Sequence, residues 1–134
     1  MATIGDIIYS ILSNDTATNA IVSNRIAPAP ADEDEVFPMI AYDIQGTDLN
    51  ETGGGINNPI GVEVQIASIA LSQSAALALA TAVYKALDAI KNVTVSGTLV
   101  QGIVLKDLNR TVEVLTQEKQ ANVCEVTCVI WFNQ

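Results

Sequence analysis

The chain has 134 residues, 49% of them apolar and 16% charged, enough for one domain with a substantial core and too apolar for a disordered segment. Fifteen acidic residues against six basic ones leave a net charge of −9. That balance excludes a phosphate-neutralising nucleic-acid surface and adhesion to anionic lipid, since both depend on Lys and Arg.

Residues 3–13, "TIGDIIYSILS", put Ile4, Ile7, Ile8, Ile11 and Leu12 at helical spacing, and Thr3 followed by Asp6 resembles a capping box. Asn14 or Asp15 can cap a second short helix through "TATNAIVS". "RIAPAP" then runs extended, because each proline disfavours helix at the residue before it. Pro38 opens the first long strand, with Ile40, Tyr42 and Ile44 on one face and Met39, Ala41 and Asp43 on the other. Glycine and asparagine in "GTDLNETGGGINNP", residues 46–59, predict a long polar loop. From Ile60, "IGVEVQIAS" alternates: Ile60, Val62, Val64 and Ile66 face a core, and Glu63 and Gln65 face out.

Residues 72–91, "SQSAALALATAVYKALDAIK", read as the longest helix. Ser72 or Ser74 caps it; Ala76, Leu79, Ala80, Val83, Leu87 and Ile90 form its apolar stripe, and Asn92 ends it. The alanines permit close approach to a sheet. "VTVSGTLV" predicts a hairpin turning at Ser96-Gly97. "LVQGIVLKDL" continues as a strand, "NRTVEVLTQEKQ" reads as a connection, and residues 121–133 form the last strand. This order predicts a single α+β domain over residues 1–134, an antiparallel or mixed β-sheet with one long helix and the N-terminal helices packed on one face.

Catalytic chemistry finds little purchase. There is no histidine, hence no imidazole base or ligand. The glycines at 53–55 lack the Lys-Ser/Thr of a phosphate loop, and the carboxylate spacings do not match a calcium loop. Asp107 and Glu113 could pair as acid and base, but in a connecting loop such charges are ordinarily just solvated. Cys124 and Cys128, four apart on a strand, stand roughly 13 Å from each other, too far for a disulfide, and read as buried thiols. Four Asn-x-Thr triplets begin at Asn14, Asn50, Asn92 and Asn109; with no secretory signal they mark composition alone. No window reads as a membrane span. The expectation is a soluble, non-enzymatic protein made in the cytoplasm, without cofactor or metal.

The N-terminal helix pair, "RIAPAP", "FPMIAYDIQG", "VEVQIAS" feeding the long helix, "VQGIVLKDLNR" and the closing "CEVTCVIWF" together resemble the phage tail terminators, also called tail completion or tail-to-head joining proteins. The similarity runs over nearly the whole chain and rests on element order and local flavour, not on an invariant motif. It implies a structural protein of the virion that forms a hexameric homo-oligomer, a ring at the head-proximal end of the tail. One face would stop the tail tube protein from adding further; the other would meet neck or connector proteins, with DNA passing through unbound. Rival readings are another neck or connector component and a non-phage soluble binding module.

Candidate residues follow. The last strand is apolar on both faces, so it is either buried between two layers of one monomer or covered by a partner; in the second case its mixed face, with Val129 and Trp131, joins the outward Glu63 and Gln65 as a candidate subunit interface. Gly53, Gly54 and Gly55 form a candidate mobile contact loop, because a glycine run is costly to order. Asp32, Glu33, Asp34 and Glu35, four carboxylates with no adjacent cation, are either a solvated loop or an acidic patch at the channel or an axial face of the ring.

Overall fold

The computed structural model describes residues 3–28, 37–49, 59–114 and 120–133, and their side chains over 3–28, 37–46, 60–106 and 122–132. Helix α1, Ile4–Asn14, begins with the predicted capping box: the Thr3 hydroxyl accepts from the Asp6 amide, and the Asp6 carboxylate accepts from the Thr3 amide. Asp15 takes over at once as N-cap of α2, Thr16–Val22, accepting from both the amide and the hydroxyl of Thr18. One carboxylate therefore ends the first helix and starts the second. Ile7, Ile8, Ile11 and Leu12 are buried, as their spacing requires.

Strand β1, Ile26–Pro28, runs parallel to β2, Met39–Leu49. Arg25 fixes the approach between them: its Nε donates to the Pro38 carbonyl at 2.9 Å. β2 then pairs antiparallel with β3, Pro59–Ala70. Helix α3, Gln73–Asp88, starts at Ser72, whose hydroxyl accepts from the Ala75 amide. β4, Lys91–Val95, and β5, Thr98–Val114, form the predicted hairpin, with Ser96 and Gly97 both at positive φ as a tight two-residue turn demands. β6, Gln120–Asn133, lies between β3 and β5, and the strand order is β1-β2-β3-β6-β5-β4. The sheet is mixed only through β1. The expected α+β architecture holds.

Three expected boundaries move. Gly46, Thr47, Asp48 and Leu49, read as loop, continue β2 opposite Ile60 to Glu63, after a register shift at Gln45. Residues 109–114, read as a connection, continue β5 opposite Gln120 to Glu125. In both places the ladder of a strong neighbouring strand overrides weak local propensity. At the third, α3 stops at Asp88, short of Lys91, and Asn92 does not end it. Ala89 and Ile90 fold their amides back onto Lys85 and Leu87, and Asn92, at φ 52°, lies inside β4.

All three helices cover one face of the sheet. Val62, Val64 and Ile66 of β3 and Val126, Cys128 and Ile130 of β6 meet Leu79, Val83 and Leu87 of α3 and the isoleucines of α1 in the main core. Toward the start of α3 the contact narrows to Ala70, Ala76, Ala80 and Cys124, small side chains that bring helix and sheet close. Ser68, buried on the same helix-facing row of β3, keeps its hydroxyl without a hydrogen-bond partner, a cost of about 1–3 kcal/mol. On the opposite face, a smaller cluster of Met39, Ala41, Ile69 and Val123 is also buried, with Phe37 packed against it.

Candidate functional site

The sheet face turned away from the helices is where most of the predicted interface residues converge. Alternation along β6 sends Cys124, Val126, Cys128 and Ile130 into the core, so Val123, Glu125, Thr127, Val129 and Trp131 point the other way. Register then sets Glu63 beside Val129 and Gln65 beside Thr127. Trp131, Val129, Glu63 and Gln65 thus occupy one continuous patch.

Trp131 has a glycine on each side, Gly61 on β3 and Gly102 on β5. The indole uses that space by lying over Gly61: a Cβ added there would stand 2.8 Å from the ring. The result is a half-buried aromatic plate on the sheet surface. Beside it Val129 is only 2% exposed, although no helix covers this face. Lys106, at the register shift of β5, reaches across β6 to Glu63, Nζ to Oε1 3.0 Å. The neighbouring Val104 stays 52% exposed. At the β2 side, Gln45 donates to Asp43 at 2.6 Å and to Gln65 at 3.4 Å, tying the polar rim together.

Val104, Lys106 and Gln45 were not legible as members of this patch. Each is adjacent to a predicted residue only across strands, and the cross-strand register, with its shifts at Gln45 and Lys106, leaves no mark in the linear sequence. The acidic run Asp32, Glu33, Asp34 and Glu35 and the glycines Gly53, Gly54 and Gly55 lie outside the described residues.

Asp107 and Glu113 belong to strand β5, not to a connecting loop. Six residues apart along one strand, their backbone positions are separated by roughly 20 Å. Cys124 and Cys128 are both buried. Burial, and then the nearby charge of Glu63, push the Cys128 thiol up to about 12, so it carries no nucleophilic thiolate at neutral pH. Among the described residues no group of three or more His, Cys, Asp or Glu side chains could hold a metal ion. Nor is any described helix long and apolar enough to cross a membrane.

No family model and no curated protein matches the chain. Among solved structures it is similar to a chain in the virion of a native gene transfer agent particle, with a TM-score of 0.63 at 15% identity, over 97% of this chain and 95% of that one. At such identity the likeness is one of fold, and it extends from end to end: the six-stranded sheet with helices on one face is a fold that a virion chain also adopts.

Proposed function

We propose that the chain is a non-enzymatic structural protein of a phage-like virion, and that it forms a ring, hexameric by resemblance, capping the head-proximal end of a tail tube. The observation that carries this reading is the full-length fold likeness to a chain of a virion particle, with almost nothing left over on either side. The sequence resemblance to tail terminators, carried by element order and local flavour, supports the same role. In this reading Trp131, Glu63 and Gln65 meet the next subunit, over a floor that the buried Val129 helps to form. A cyclic ring needs two different surfaces joined head to tail, so the patch would contact a different region of its neighbour. The tail tube protein lies against one side of the ring, neck or connector proteins against the other, and DNA passes through without specific binding. The acidic patch and the Gly53–Gly55 loop serve the channel and the contacts with neighbours.

The test is solution mass with and without assembled tail tube protein, together with imaging of labelled particles. The expected result is a closed ring that appears on the tube end and a single band of label at the head–tail junction. Label along the whole tube would make the chain a tube subunit instead. Label at the neck with no binding to free tubes would make it a connector component.

A further inference from the structure

The helical layer stops short of the β4 edge, and the gap is a notch of about 340 Å3 between the ends of α1 and α3 and strand β4. That volume is within the range of about 300–1,000 Å3 typical of ligand sites. Its floor is apolar, from Ile11, Ile90 and Val93, and its rim is polar, from Asn14, Asp15 and Ser96. A shallower trough continues past Ser10 and Asn14 along α1 to Asp6 and Tyr9.

Three features of the notch are left unanswered within the chain. Val93 is 41% exposed, whereas Val100, directly opposite it on β5, is fully buried; the helices cover one and miss the other. β4 is the terminal strand, so half of its backbone groups face away from β5. The third is electrostatic. α1 and α3 both end here, and helix C-termini carry partial negative charge; the N-terminus of the short helix α2, which also starts at Asp15, offsets part of that of α1. α1 has no basic residue in its last turn, and Lys85 of α3 is exposed and does not line the notch. Asp15 commits Oδ2 to Thr18, while Oδ1 accepts no hydrogen bond from the described residues. Among the described residues neither the notch nor the trough has a Lys or Arg in its lining, and the exposed ring of Tyr9 offers a face to a cation.

An apolar floor, a free strand edge and a negative rim fit an occupant that is extended, apolar and cationic. A second copy is a poor match. The chain carries −9, with fifteen acidic residues against six basic ones, so copies of it repel one another. We propose that the notch between α1, α3 and β4 docks an extended apolar segment bearing an arginine or lysine, contributed by a protein other than this chain. The proposal stands apart from the ring reading and survives its failure.

The probe is an acetylated, amidated Val-Arg-Val-Thr-Val peptide, with Val-Glu-Val-Thr-Val as its charge control, titrated into the isotope-labelled full chain. Amide shifts should concentrate at Ser10, Asn14 and Val93 to Ser96, with the arginine peptide bound at least about fivefold more tightly than the glutamate one. Asp15→Asn keeps the cap of α2, since Asn caps as well as Asp, and should weaken the arginine peptide about two- to fivefold. Val93→Lys, at an exposed position, should abolish binding with the urea midpoint unchanged. Equal affinity for both peptides, shifts centred elsewhere, or no saturable shift would overturn the proposal. So would notch shifts that grow with protein concentration alone, which would mean a second copy.

Discussion

Trp131 is held by shape more than by burial: two glycine neighbours clear the sheet surface and the indole lies over one of them. A side chain so placed is available to a partner and dispensable to the core, whose buried residues lie elsewhere. Trp131→Ala should therefore cost the monomer only about 1 kcal/mol in urea unfolding while ring formation on tubes drops at least about tenfold. An unfolded variant monomer would make the tryptophan a core residue and remove it from the interface. Cys128 gives a second residue-scale expectation, set by protons. The unfolded thiol ionises near pH 9.0 and the folded one near 12, because burial and then Glu63 disfavour the thiolate. Between those values the folded chain keeps a proton that the unfolded chain has lost. This contribution to stability is intact below pH 9 and is lost as pH rises toward 12, at up to about 1.4 kcal/mol per pH unit. Cys128→Ala lowers stability by a constant amount and removes that slope, so the urea midpoint of the wild type should fall more steeply above pH 9. Parallel decline of the two proteins would assign the slope to other groups.

Elements were legible where one rule acted alone. The capping residues Thr3, Asp15 and Ser72, the isoleucine spacing of α1, the alternation of β3 and the Ser96-Gly97 turn are all local, and all stand where the sequence predicts them. The ends of β2 and β5 were not legible, because "GTDL" and "NRTVEV" are strands only by virtue of their partners Ile60 to Glu63 and Gln120 to Glu125. The same dependence hid half of the candidate patch. Trp131, Val129, Glu63 and Gln65 follow from alternation, whereas Lys106 crossing β6 to Glu63 follows only from register. Between the extended end of β2 and the start of β3 stand Gly53, Gly54 and Gly55, and a glycine run gives up more conformational entropy on ordering than any other. We propose that assembly supplies that ordering. Amide exchange over residues 50–58 should slow at least about tenfold from free to tube-bound protein, and equal rates in the two states would deny the loop a contact role.

For the whole molecule the governing quantity is charge. Fifteen acidic residues and six basic ones make every surface shared between copies a place where repulsion has to be offset by shape and apolar contact, as Trp131 and Val104 can provide. The same excess suits a conduit. DNA binds proteins through cations that displace its counterions, and a wall without such cations lets it slide. Asp32, Glu33, Asp34 and Glu35 concentrate four carboxylates in one stretch of the chain, and the proposed ring would repeat that stretch around its axis. Their field extends only about 8 Å at physiological salt, so they act on DNA from the channel or its rim and nowhere else. On the outer wall the run would serve solubility alone. Replacing all four with lysine separates these positions. At the channel, each subunit would then present phosphate-binding groups to the passing DNA, and ejection should slow severalfold, more so at low salt. Tail length should stay normal, because in the proposed role termination of the tube would depend on the ring's contact with tube protein and not on DNA. Unchanged ejection with normal tails would put the run on the outer wall. Altered tail length would put it against the tube.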